Sequence, residues 1–307
     1  MKISVVSPVY MAEKIVPELV KRITAELELI TNDFEIILVD DCGPDNSWQK
    51  IQEECKNKSF VKGIKLSRNF GQHYAISAGV ANAKGDVIVL MDCDLQDNPK
   101  DIHLLLQKHK EGYDVVFTKR KKRKHTFVKR VNAYIYNRLF TFFSKGDYDI
   151  NSGSLVLFTK RVGEEFNKLQ DTDRLYLQML KWIGFKSTVV TVEHNKRFEG
   201  KSSYSFFKLV KIGIQGWTSH SDKLLKLSVY LGLVLSLISF IASISIVIKY
   251  FFYNLLPGWP SIIVTILFST GVILMSIGVL GLYVGKIFVQ SKNRPLYIID
   301  KSVNINE

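Results

Sequence analysis

The sequence predicts an α/β protein built on a mostly parallel sheet, followed by a C-terminal pair of membrane-spanning helices. Three observations carry this. Short strand-like runs at 3–7, 35–41, 61–66 and 87–91, the last wholly apolar, alternate with stretches of helical periodicity. Two of these runs end on acids, Asp40-Asp41 and Asp92-Cys-Asp94, as open parallel sheets do where ligands collect at strand carboxyl ends. Near the end of the chain, 227–248 and 250–285 carry no charge, and Pro257-Gly-Trp-Pro260 interrupts the second. That leaves 227–248 and 261–285, and both exceed the roughly 20 residues needed to cross hydrocarbon.

At 307 residues there is room for one sizeable α/β domain and something smaller. A formal net charge of +13 points to an anionic partner. Basic and aromatic residues are not interleaved as in nucleic-acid motifs, so no nucleic-acid partner is expected. The three cysteines, Cys42, Cys55 and Cys93, have spacings of neither a zinc site nor a disulfide framework, and suit a reducing compartment. No secretory leader is expected ahead of the first strand.

Ile3 to Ser7 reads as that strand, and Pro8-Val-Tyr-Met-Ala-Glu13 as the loop leaving it. Ile15, Leu19, Val20, Ile23, Leu27 and Ile30 recur at helical spacing, which predicts an amphipathic helix over 14–30. Glu35 to Asp41 is the second strand, with Asp45 or Asn46 capping the next helix. Val61 to Leu66 is the third, and Arg68 just beyond it can reach a phosphate. A helix over 73–83 opens with His73, read as a satisfied helix-face residue. Val87 to Met91 is entirely apolar, which suits a strand buried on both faces. Asp97-Asn-Pro99 then starts a helix with a cap and an early proline. Tyr113 to Thr118 reads as a strand and Leu175 to Ile183 as a helix. Residues 119–130 contain no acid; beside a membrane such a run serves as an arm at the entrance for an anionic acceptor, where each basic residue contributes about 1 kcal/mol.

Asp92 and Asp94, at i and i+2 after a buried strand, can hold one hard divalent cation bridging a diphosphate. Taken alone, the pair equally suits a solvated turn. The ordered set of Arg68-Asn-Phe-Gly-Gln72, Asp92-Cys-Asp-Leu-Gln-Asp-Asn-Pro99 and the hydrophobic tail resembles the GT-A family 2 glycosyltransferases that load polyprenyl phosphates, including bacterial undecaprenyl-phosphate glucosyltransferases and dolichyl-phosphate mannosyltransferases. The likeness runs over nearly the whole chain.

The resemblance implies a GT-A catalytic domain over 1–204 that transfers a hexosyl group from a nucleotide diphosphate sugar to a polyprenyl phosphate with inversion. It implies Mg²⁺ or Mn²⁺ held by Asp92 and Asp94, with Asp149 as a further catalytic candidate. Pro8, Tyr10, Glu13, Asp40, Asp41, Arg68, Gln96, Arg197 and Lys201 are the corresponding substrate-binding candidates. Three departures stand out: Ala12 where Asn is usual, Ser154 where a second acid is usual, and Ser203 where Lys is common. Two other readings are open. A polysaccharide synthase would carry Gln-x-x-Arg-Trp and many spans, which this chain lacks; a non-catalytic scaffold would not need the acid pair.

Residues 205–222 read as an amphipathic helix in the headgroup layer. The membrane domain over 223–307 is expected to hold two spans, at about 227–250 and 261–285, and a short cytoplasmic tail. Lys223, Lys226, Lys286, Lys292, Arg294 and Lys301 flank the outer ends while Lys249 alone lies near the hairpin. This puts both termini and the catalytic domain on the cytoplasmic face of the inner membrane. Anionic phospholipids, a second copy of the chain and a flippase for the lipid-linked sugar complete the expected partners.

Overall fold

The structure is a computed structural model that describes residues 1–120, 152–172, 174–193 and 258–305, with isolated positions between 230 and 241. Asp149, Arg197, Lys201, nearly all of the basic arm, the 205–222 helix and the 227–250 span lie outside the described residues.

Four strands, β1 (Ile3–Val9), β2 (Phe34–Asp40), β3 (Val61–Leu66) and β4 (Val87–Leu90), run parallel with β1 at the centre. β5 (Val115–Arg120), β6 (Ser152–Thr159), β7 (Ser187–Val192) and β8 (Ile299–Val303) complete a sheet of order β7-β5-β6-β4-β1-β2-β3-β8 among the described residues. β6 is antiparallel to both its neighbours, and β8 is antiparallel to β3. The sheet is therefore α/β and mixed, with a parallel centre.

Alternation along the strands explains the layers. Val5, Val9, Ile36 and Leu38 face one core cluster, with α1 (Val16–Glu28), α2 (Ser47–Asn57) and α4 (Ile102–Lys110). Val6, Ile37 and Val39 face the other, with α3 (Gln72–Ala81), α5 (Lys160–Lys168) and α6 (Tyr176–Ile183). Helices on both faces are what makes the central strands continuously apolar. Phe158 and Phe166 are fully buried, and truncating either to alanine would cost about 3–5 kcal/mol. α3 lies so close to β1 that any side chain at Gly79 would run into Val6 and Val39.

Near the amino end of β2, Glu35 is buried, 1 % exposed. Burial alone would raise its pKa, but bonds from Lys62 Nζ (2.6 Å), Ser4 Oγ (2.5 Å) and the Lys84 N–H (2.6 Å) outweigh that and hold the carboxyl below its ordinary range. This acid is structural.

Several boundaries differ from the sequence expectation. β1 runs two residues further and includes Pro8, which was expected in the loop. Val6 accepts from Met91 N and Val9 from Asp41 N, so the missing N–H of Pro8 points to the β4 side, where that strand has already ended at Leu90. The segment before Arg161, read only through the resemblance, forms β6 and leads into α5. The expected tail is β8: Ser67 N donates to Ile298 O, and Asn304 Nδ2 reaches the carbonyls of Cys55 (2.7 Å) and Val61 (2.8 Å). β8 covers an edge that the parallel strands leave open.

The chain divides into two compact units. One holds the sheet, its helices and the residues from Arg294 onward; the other contains α7 (Trp259–Ser291). Within α7, Phe268–Ser291 is long and apolar enough to cross a membrane, with a mean hydropathy of 2.2. Its apolar side chains, among them Phe268, Leu274 and Ile287, are exposed. A side chain added at Gly278, Gly281 or Gly285 would meet nothing within 4 Å among the described residues.

Candidate functional site

Beyond Val6 and Leu90 the ladder between β1 and β4 stops, because β4 ends there while β1 continues to Val9. The connections leave in opposite directions there, β2 on one side of β1 and β4 on the other, which opens a crevice for a ligand. Tyr10 stands at its mouth, 46 % exposed, so it is not the core aromatic its residue type would also allow.

Opposite Tyr10 the acidic loop begins. Asp92 Oδ1 accepts from Gln72 Nε2 at 2.6 Å. Burial, then the neighbouring charges of Asp97 and Asp94, push the Asp92 carboxyl up to about 7. Asp94 Oδ1 accepts from the Gln96 N–H at 3.1 Å, an Asx turn that Leu95 permits by adopting φ 57° while its side chain is buried. A left-handed β-unbranched residue in a tight acidic turn stores strain where the loop must keep one shape. Asp97 is 1 % exposed and accepts from Ser154 Oγ at 2.5 Å.

On the other side of β1, Asp40 is buried at the end of β2, and burial raises its pKa to about 6 despite a long bond from Gly43 N. Asp41 has both oxygens occupied: Oδ1 accepts from Phe70 N (2.8 Å) and Oδ2 from Gly71 N (2.9 Å). The carboxylate thereby holds the 68–71 loop, where Arg68 lies over the Phe70 ring at 4.1 Å. Gly71 supplies the φ of 111° that turns this loop into α3. Glu13 is also engaged within the protein, accepting from Asn46 N, while its own N–H donates to Asp45. Ala12 N donates to Ser47 Oγ, so a buried alanine fits where a longer side chain is usual.

The structure thus brings Tyr10, Asp40, Arg68, Asp92, Asp94 and Gln96 to the carboxyl ends of the parallel strands β1 to β4, and Pro8 into β1 itself. Glu13 and Asp41 serve the loops around it. Sequence reading left out Gln72 and Ser154. Gln72 stood inside the motif with Arg68; Ser154 was noted only as a departure. Cys93, beside the two acids, is pushed up to about 12 chiefly by burial, so it stays a neutral thiol and no nucleophile.

Among the described residues no group of three or more acids, histidines or cysteines is arranged to enclose a metal. The acid pair nevertheless fits a divalent cation. Burial, then the charges of Asp97 and Asp94, raises the pKa of the Asp92 carboxyl, which a bound cation would offset, and Mg²⁺-type ions bind through one or two carboxylates plus substrate phosphates.

The chain is similar to known proteins over most of its length. The family described as "Glycosyl transferase family 2" matches residues 4–166. The "Uncharacterized glycosyltransferase YkcC" of Bacillus subtilis is 36% identical over 304 residues, 98% of this chain and 94% of that protein. The "SfII prophage-derived bactoprenol glucosyl transferase" of Shigella flexneri is 34% identical, covering 98% of each. Among solved structures, glucosyl-3-phosphoglycerate synthase from Mycobacterium tuberculosis, in complex with Mn²⁺ and UDP-glucose, shares the fold with a TM-score of 0.50. It is 13% identical and covers 71% of this chain and 77% of its own.

Proposed function

The chain belongs to glycosyl transferase family 2, and on that premise we propose that it transfers a hexosyl group from a nucleotide diphosphate sugar to the phosphate of a polyprenyl carrier. The single observation that carries the reading is the acidic loop at the β1/β4 crevice, in a chain similar end to end to a bactoprenol glucosyl transferase.

Asp40 accepts from the nucleoside, whose ring lies against Tyr10. Asp41 shapes the 68–71 loop so that Arg68 closes on the diphosphate. Asp94, with Asp92, would hold Mg²⁺ or Mn²⁺ beside the diphosphate. When bound, that cation supplies charge stabilisation to the leaving nucleoside diphosphate. Gln72 fixes the rotamer of Asp92, and Ser154 the position of Asp97 beneath the loop. Gln96 faces the sugar. The acceptor oxygen needs little activation, because a phosphate monoester with a second pKa near 6 is mostly dianionic at pH 7. Positioning therefore matters more than a strong base. Asp149, Arg197 and Lys201 are assigned to the acceptor side.

α7 serves as a membrane span, and the 227–250 stretch as its partner in a hairpin, with both termini cytoplasmic. The lysines and arginines of the 119–130 arm meet anionic headgroups and the acceptor phosphate. Membranes holding the protein, incubated with labelled UDP-glucose, other nucleotide sugars and undecaprenyl phosphate, test the reading. The expected product is a single-sugar lipid phosphate extractable into organic solvent. Label found only in water-soluble polymer or in protein would reject it.

A further inference from the structure

The loop that carries Arg68 is gripped from two sides. On the β2 side the oxygens of Asp41 accept from Phe70 N and Gly71 N, and Cys42 Sγ reaches the Ser67 carbonyl at 4.0 Å. On the other side the grip comes from the end of the chain, where Ser67 N donates to Ile298 O at 2.9 Å. One residue earlier Leu66 pairs with Ile299, and the ladder is irregular between Lys65 and Leu66, as at a bulge that re-aims a strand end. Because β8 runs antiparallel to β3, its amino end lies at the carboxyl end of β3, the end on which ligands collect.

The stretch that leads into β8 is seated as well as hydrogen-bonded. Leu296 and Tyr297 are half-buried, and Tyr297 packs against the same core cluster as Phe70. Pro295, Leu296 and Tyr297 share the wall of a small cavity with Ser77 and Ala81 of α3. That helix begins at Gln72, whose side chain holds Asp92. The chain end therefore bears on both pieces that shape the crevice, the 67–71 loop and the helix behind it. Arg68 itself is exposed. Its guanidinium lies over the Phe70 ring and makes a 3.5 Å bond to Asn69 O, both within its own loop. Where that guanidinium points is thus set by the backbone beneath it.

We propose that Tyr297 and the Ile298 carbonyl are positioning elements for Arg68, holding 67–71 in the shape that presents the guanidinium to a diphosphate. The inference rests on the proposed function only for what Arg68 meets. Without this tie the loop is anchored on its Asp41 side alone, and a loop with few buried contacts opens at low cost. Asn304 supplies a contrast within the same strand, since its bonds reach Cys55 and Val61 at the opposite end of β3. Losing them frays the far end of β8 and leaves Ile298 beside Ser67.

Hydrogen exchange and donor kinetics on the full chain in nanodiscs test this. In Tyr297→Ala the amides of 67–71 should exchange about tenfold faster than in wild type while β1 keeps its protection. Tyr297→Phe keeps the ring and should restore most of the difference. KM for UDP-glucose, or for whichever tested nucleotide sugar gives product, should rise about tenfold in Tyr297→Ala with kcat within about threefold. Ser67→Pro, which removes the donor N–H, should act alike where it folds. Asn304→Ala should lower Tm and move neither readout. Unchanged exchange in Tyr297→Ala, an equal rise in Asn304→Ala, or faster exchange with an unchanged KM overturns the proposal. A wild type that transfers from no nucleotide sugar counts against the transferase reading instead. Exchange needs no ligand, so it still decides whether the chain end holds the loop.

Discussion

Ser154 Oγ donates to Asp97 Oδ2 at 2.5 Å, fastening β6 to the acidic loop across 57 residues of sequence. The family pattern would place an acid at this position, and a second carboxylate against buried Asp97 would repel it. The serine instead donates to one oxygen of Asp97 without adding charge. Ser154→Ala should leave a buried charged acceptor short of one partner, worth about 1.5–3 kcal/mol. We expect kcat/KM to fall roughly tenfold or more, with the wild-type fold retained by circular dichroism. Ser154→Thr should recover most of the loss, and Ser154→Asp should be worse than alanine.

Asp94→Asn should lower transfer by about 100-fold or more, the scale of losing a preorganised electrostatic contact in the transition state. The loss should not be restored by raising Mn²⁺, and Tm should change little, because the Asx turn can still form through the amide oxygen. Turnover near the wild-type rate at limiting Mn²⁺ would remove Asp94 from the metal site.

His73 was expected to be satisfied on a helix face, yet its Nδ1 is buried without a partner and its ring packs 5.6 Å from that of Tyr176. Burial, then the charge of Arg174, lowers its pKa to about 4. The sign follows directly. Between about pH 6.5 and 4 the unfolded chain binds a proton that the native state refuses. Stability is full above 6.5 and is lost as pH falls, by up to about 1.4 kcal/mol per unit. His73→Phe keeps the ring and removes the titration. Its stability relative to wild type should rise steadily as pH drops from 7 to 5; a constant difference over that range would count against the assignment.

Asn304, at φ 59°, ties β8 to the end of α2 and the start of β3 through two carbonyl bonds. Asn304→Ala loses both bonds and places alanine in a left-handed conformation, for a combined cost of about 2–4 kcal/mol. Thermal melts should shift down by several degrees. With saturating donor below the new Tm, kcat should stay within about twofold of wild type, because β8 lies at the edge of the sheet and β1 at its centre.

Much of this was legible in the chain itself. The strands β1, β2 and β4 declare themselves because they are buried on both faces, which favours a largely apolar run, while β3 carries Lys62 and Lys65 and shows less. The acids at their ends interrupt those runs abruptly, so Asp40, Asp92 and Asp94 stand out without any coordinates. The resemblance named the family for the same reason: its motifs are short, local and in order. Tertiary structure alone decided the rest. Ser154 and Asp97 meet only because β6 runs antiparallel beside β4, a pairing that no local pattern encodes. Asp41 looks like a ligand-facing acid in sequence, but the 68–71 loop folds back onto it and takes both its oxygens. The residues after Arg294 read as a polar tail, since an edge strand buries too little to leave a periodic pattern. They form β8 because β3 has an open row of backbone donors and acceptors to fill. Arg174 is likewise one basic residue among 42 in the sequence; only packing against Phe166 makes it a buried charge.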